Sequence, residues 1–129
     1  MTAPFIFVAT YKIKEGKLSD YQRLWQELVE FVQANEPRLL AFNTYVSEDG
    51  TEGTTIQVHP DADSMEFHMQ VAGARILEGY SLLDTVESVN VYGTPTDGFR
   101  EMSKQMAGPG VPVSVKPRHL GGFTRLAAG

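Results

Sequence analysis

The 129-residue sequence predicts an α+β domain of the ferredoxin-like, split βαβ kind, a four-stranded antiparallel sheet with two helices on one face. Three observations lead there. Over residues 5–93 the apolar positions switch between a period of two and a period of about 3.6, in the order β-α-β-β-α-β. The two middle strands are joined by EDGTEG (48–53), whose Asp49-Gly50 pair and Gly53 favour a hairpin. The opening strand, FIFVATYKI (5–13), is apolar on both alternations and needs cover on both faces.

In that strand Phe5, Phe7, Ala9, Tyr11 and Ile13 point one way, and Ile6, Val8 and Thr10 the other. Gly16 breaks the run. Residues 17–36 carry Leu18, Tyr21, Leu24, Trp25, Leu28, Phe31 and Val32 at helical spacing. Ser19 and Gln22 have capping-box spacing near the start, and Pro37 ends the helix because the residue before a proline avoids helical dihedrals. LLAFNTYVS (39–47) and TTIQVH (54–59) are the hairpin strands. A second helix runs from about Asp63 to Leu83, with Asp63 or Ser64 as N-cap. Met65, Met69, Ala72, Ile76, Tyr80 and Leu83 form its apolar stripe. VESVNVYG (86–93) is the fourth strand.

These elements define a domain over 1–95, followed by an extension over 96–129 that docks on the domain or on a partner subunit. TDGFREMSKQM (96–106) predicts a short helix with Phe99, Met102 and Met106 on its apolar side. GPG (108–110) is a hinge by composition, and VPVSV (111–115) an edge strand, since Pro112 lacks the N–H that a central strand needs. Two helices on one face leave the other face of the sheet bare. Its first strand is apolar there, which predicts a homodimer packed sheet to sheet, or a larger assembly built from it.

Charge narrows the partners. Residues 1–97 hold six Lys/Arg against fifteen Asp/Glu, a net of -9, while residues 98–129 hold five against one, a net of +4. An acidic body argues against nucleic acid as partner, because affinity there rests on neutralising phosphates. The basic tail is expected to lie across the acidic body or a partner's. No apolar run approaches the ~20 residues of a membrane span, and the short apolar run at the N-terminus has no basic flank. The expected location is the cytoplasm. With no cysteine there is no disulfide, thiolate nucleophile or thiolate metal site.

The chemistry concentrates in QVHPDADSMEFHMQ (57–70). His59 closes a strand and shares its face with Gln57 and Thr55; His68 falls about 60° to the side of the second helix's stripe. Imidazole titrates near neutral pH, so His68 is the candidate general base, with His59 as a second catalytic candidate. The competing reading is a half-buried histidine bonded to a neighbouring strand. Tyr11, Asn43 and Tyr45 are candidate substrate-binding groups on mainly apolar strands, as are Asn90 and Tyr92, although tyrosine is ordinary there. Two imidazoles with Asp61 and Asp63 suggest a metal, but the spacing matches no metal motif and HPDADS reads as a turn and cap. No metal or other cofactor is expected. Trp25 and the five methionines are assigned to the core, and Phe67, opposite the stripe, needs cover from the tail or a neighbour.

In element order over 5–93, and most closely in HPDADSMEFHM (59–69), the sequence resembles the antibiotic-biosynthesis-monooxygenase-like proteins, which form dimeric α+β barrels. The family typically ends strand three in tryptophan, follows it with a short acidic turn, and carries Ala-Leu-x-x-His-Leu on the next helix. His68 and Met69 stand at the His-Leu. The resemblance implies a pocket between sheet and helices. Some members there oxidise phenolic polycyclic substrates with O₂ and no cofactor; others degrade haem. This chain departs at several points: the strand-ending tryptophan is His59, and the asparagine four residues earlier is Thr55, which makes Thr55 a substrate-binding candidate. The haem degraders' tryptophan position holds His68 and their ligating histidine falls on Glu78, while FVATYK lacks their first-strand asparagine. Haem degradation is therefore disfavoured.

The leading expectation is a cofactor-independent monooxygenase acting on a small aromatic phenol or quinol. The alternative is a non-catalytic dimeric barrel that binds a small apolar ligand or serves in assembly. An isomerase using the same base without O₂ is a third reading.

Overall fold

The chain forms β1 (Phe5–Ile13), α1 (Leu18–Asn35), β2 (Ala41–Val46), β3 (Glu52–His59), α2 (Ala62–Gly79), β4 (Leu83–Tyr92), α3 (Asp97–Ala107) and β5 (Val113–Lys116), with one 3-10 turn at Tyr80–Leu82. The structure, a computed structural model, describes residues 3–107 and 110–125, without the side chains of 106 and 107. The expected apolar contact of Met106 and the first two residues of the GPG hinge lie outside the described residues.

The sheet order is β2-β3-β1-β4-β5. β1 is central because it is the strand apolar on both faces. It pairs antiparallel with β3 (Ala9 opposite Thr55, Tyr11 opposite Gly53) and with β4 (Ala9 opposite Val89). The fifth strand runs parallel to β4, so the sheet is mixed rather than purely antiparallel. Pro112 sits just before β5, and its carbonyl accepts from the Val89 N–H at 2.9 Å. Missing its own N–H, it marks the sheet edge as expected.

One face of the sheet carries the helices. Phe5, Ala9, Tyr11, Val89 and Val91 are buried against Met65 and Met69 of α2 and Phe99 of α3. A second cluster joins Leu28 and Val32 of α1 to Ala72 of α2, with Trp25 and Phe42 packed on it. Each large apolar side chain buried this way stabilises the fold by on the order of 2 kcal/mol. α3 is anchored by Thr96, whose hydroxyl accepts from the Phe99 N–H at 3.0 Å and donates to Glu66 at 2.9 Å. On the opposite face Tyr45 and Tyr92 are exposed, beside half-buried Ile6, Val8, Ile56 and Val58. Past β5, Leu120 and Phe123 are 87% and 82% exposed.

Both helix starts differ from expectation. α1 begins after Lys17 with no side-chain cap, so Ser19 and Gln22 form no capping box. α2 begins after Asp61, whose carboxylate accepts from the Ser64 N–H at 2.9 Å. An extended Asp61 satisfies that orphan donor two residues earlier than Asp63 would. α2 also stops at Gly79, and β4 begins at Leu83 rather than Val86. Phe67 has the Arg38 guanidinium over its ring, 5.3 Å from the centre.

Candidate functional site

The inner face of β3 presents Gly53, Thr55, Gln57 and His59 in turn, all buried, because side chains two apart share a strand face. Helices α1 and α2 do not close completely over it. A cavity remains, with about 70 Å³ open to the centres of water molecules, more than the about 10–15 Å³ that one water requires. Its walls are apolar at Trp25, Phe42, Met65 and Met69. Polar groups enter from Tyr11, Tyr21, Thr55, Gln57 and Tyr80, and among the described residues no Lys, Arg or His lines it.

At one end stand the histidines. His59 is fully buried, with Nδ1 at 2.7 Å from Ser64 Oγ and Nε2 at 2.9 Å from Gln57 Oε1. A glutamine carbonyl only accepts, so Nε2–H donates to it and the Ser64 hydroxyl donates to Nδ1. Because Asp61 caps α2, the Ser64 side chain is free for this bond. Burial, then the nearby His68 and Arg38, push the His59 pKa down to about 3. His59 is a neutral, fully bonded imidazole.

His68, also fully buried, is held differently. Its Nδ1 lies 2.9 Å from both oxygens of Glu36, itself 4% exposed. A carboxylate accepts, so Nδ1 donates the hydrogen of this bond, which leaves Nε2 as the site for a lone pair whenever the ring is neutral. Nε2 is buried with no partner among the described residues. The ring packs 5.4 Å from Phe42 and 5.9 Å from His59, centre to centre. His68 is not in the lining, whereas Phe42, which packs on its ring, is.

Glu36 is the residue that sequence reasoning missed. It caps the C-terminal end of α1 with non-helical dihedrals (φ -130°, ψ 78°), and the following Pro37 disfavours helical ones. An acid there opposes the helix dipole, and α1 has no basic residue in its last turn. That unfavourable placement was the available signal.

At the other end are hydroxyls. Tyr21 OH, Thr44 Oγ1 and Thr55 Oγ1 are buried with no partner among the described residues. Thr44 lies opposite Thr55 across the β2–β3 ladder. A Cβ on Gly53 would collide with Tyr21 OH, so the phenol rests on bare strand backbone. Burial raises the pKa of Tyr21, which Thr44 tempers only in part, although neither hydroxyl meets hydrogen-bond geometry. Burial likewise drives Tyr11 far above the usual phenol value, against the Thr55 hydroxyl beside it, and raises Tyr80.

Of the sequence candidates, the structure brings Tyr11 and Thr55 to the cavity wall and His59 and His68 close to one end of it, while Asn90 and Tyr92 do not line it. Asn43 and Tyr45 are not brought there. They point to the opposite face of the sheet, Tyr45 62% exposed, because Phe42 and Thr44 take the inward positions of β2. Among the described residues no group of three or more His, Asp or Glu is placed to hold a metal, and no helix is long and apolar enough to cross a membrane.

The sequence profile of the antibiotic biosynthesis monooxygenases matches residues 4–75, more than half of the chain. The chain belongs to that family. Solved structures agree on the fold. MupZ from Pseudomonas fluorescens superposes with a TM-score of 0.74 at 18% identity, over 96% of each chain. A variant of SnoaB, a cofactor-independent oxygenase from Streptomyces nogalater, superposes at 0.60 and 15% identity, over 74% of this chain and 96% of its own. Rv0793 from Mycobacterium tuberculosis gives 0.60 and 18%, over 74% and 97%. No curated protein matches the sequence. The family match thus spans β1 to most of α2, and the likeness of fold to MupZ, over 96% of this chain, takes in β4, α3 and β5 as well.

Proposed function

We propose that the protein is a cofactor-independent monooxygenase of this family, oxidising a small aromatic phenol or quinol between the sheet and the helices. The observation that carries this reading is the buried Glu36–His68 pair beside an apolar cavity, with Nε2 unpartnered. Glu36 fixes the tautomer, holds the ring and stabilises the imidazolium that forms when Nε2 accepts the phenol proton. The electron-rich ring carbon of the phenolate then reduces O₂ and bonds to it. The resulting peroxide anion takes back the proton from His68. Loss of water, using the hydrogen on that carbon, leaves a quinone. An apolar wall favours O₂ and shields the carbanion from protonation by water. Phe42 must turn to admit substrate to Nε2. Tyr11 and Thr55 bind substrate; Asn43 and Tyr45, on the other sheet face, do not.

That outer face, with Ile6, Val8, Ile56, Val58, Tyr45 and Tyr92, serves as the sheet-to-sheet surface of a homodimer, and a partner subunit covers Leu120 and Phe123. The alternative, a binding barrel without catalysis, draws on one specific observation: neither histidine lines the cavity. Oxygen uptake against a panel of anthrones, naphthols and quinols, with wild type beside His68→Asn, separates the two. Uptake lost in the variant supports catalysis by His68; uptake equal in both removes the histidine from the mechanism.

A further inference from the structure

The cavity has a second polar end that the proton-transfer chemistry does not use. The hydroxyls of Tyr21 and Thr55 there, and that of Thr44 opposite Thr55 on β2, are buried without a partner among the described residues. Tyr21 and Thr55 are 3% and 1% exposed, and both line the cavity. Leaving a buried hydroxyl unbonded costs its desolvation with nothing in return, so three in one place is an unfavourable arrangement for the free protein. The local sequence builds it deliberately in a physical sense. Glycine inside a strand weakens that strand, yet only glycine at 53 admits the Tyr21 phenol, because any Cβ there would collide with its oxygen.

We propose that the Tyr21–Thr44–Thr55 cluster is a second subsite that takes a neutral oxygen acceptor, such as a ketone, quinone or lactone carbonyl, at the end of the substrate remote from His68. This rests on the cavity being the substrate pocket. The chemistry of the cluster selects the ligand group. Every member can donate, and burial keeps the Tyr21 phenol protonated at physiological pH. No cation lines the cavity among the described residues, so a carboxylate or phosphate would be desolvated without a counter-charge. A carbonyl carries no such penalty and satisfies donors that otherwise bond nothing. Thr55 and His59 are four residues apart on β3, so the two polar ends are on the order of 10 Å from each other. The substrate is thus an apolar ring body with a phenolic hydroxyl at one end and a carbonyl at the other.

Trp25, the single tryptophan of the chain, lines the cavity with its ring 6.3 Å from Tyr21 and 5.2 Å from Phe42, so its fluorescence reports occupancy. Two probes of matched shape are titrated: a hydroxytetralone, and the tetrahydronaphthol that lacks only its ketone. Wild type should bind the ketone about tenfold more tightly, the worth of one or two good hydrogen bonds. Tyr21→Phe and Thr55→Val, which keep side-chain shape, should each shrink that preference, and the double variant should abolish it, while Tyr21→Phe leaves binding of the ketone-free probe unchanged. Equal affinities in wild type, or a preference that survives the double variant, overturns the subsite. No quenching by either probe overturns both the subsite and the reading of the cavity as a substrate pocket. A ketone preference without oxygen uptake keeps the subsite and removes the oxygenase; uptake without the preference does the reverse.

Discussion

The two ends of the β3 inner face are built from similar material and treated in opposite ways. At the C-terminal end His59 has both nitrogens bonded, to Ser64 and Gln57, and Asp61 supplies the helix cap that would otherwise occupy Ser64. At the N-terminal end the hydroxyl oxygens of Tyr21, Thr44 and Thr55 are buried too and bond nothing among the described residues. Bonded polar groups in a core specify one packing; unbonded ones cost stability and persist where something else uses them. His68 combines both conditions in one ring, with Nδ1 clamped by Glu36 and Nε2 open. The contrast separates side chains that hold the fold from side chains held in readiness by it.

The most damaging change to that contrast is loss of the half-bonded ring. His68→Asn should lower turnover by about 10²–10⁴-fold, the usual worth of a general base, and Glu36→Gln should lower it less while shifting the pH–rate profile. Steady-state oxygen uptake measures both. Next comes the bonded end. Ser64→Ala strips His59 of its Nδ1 partner and should destabilise by about 1–3 kcal/mol, roughly 3–5 °C in Tm per kcal/mol at this chain length.

Acid tests the same corner without mutation. His59 titrates near 6.5 when unfolded and at about 3 when folded, so the unfolded chain binds the extra proton between those values. Its contribution is complete above about pH 6.5 and is lost as pH falls toward 3, by up to ~1.4 kcal/mol per pH unit. Thermal melts from pH 7 to 5 should show that slope, and His59→Gln should flatten it. The smallest effect belongs to the unbonded end: Tyr21→Phe and Thr55→Val should change stability by less than about 0.5 kcal/mol or raise it, since no bond is lost. A loss as large as that of Ser64→Ala would erase the distinction between the two ends.

Much of this was legible along the chain. The alternation of Phe5 to Ile13 marks the strand that needs two neighbours, and Pro112 marks the edge. The stripe through Met65, Met69 and Ala72 places α2 on the sheet, with His68 at its flank. Even the inward sharing of Thr55, Gln57 and His59 follows from a period of two. Asn43 and Tyr45 show where that reasoning stops. Strand period says that they share a face with each other, but not which face the helices cover, and Phe42 and Thr44 took it.

The sequence by itself determined the elements, their order and which side chains travel together, because these depend on dihedral preferences and periodicity over a few residues. Only the tertiary structure decided what each buried polar group meets. Glu36 reaches His68 across 32 residues, Tyr21 lands on Gly53 of another element, and Thr44 faces Thr55 across a ladder. A hydrogen bond is a matter of a few tenths of an ångström and an angle, and neither is encoded locally. Whether a hydroxyl in this core is bonded or left free for a ligand is settled when the helices come down on the sheet.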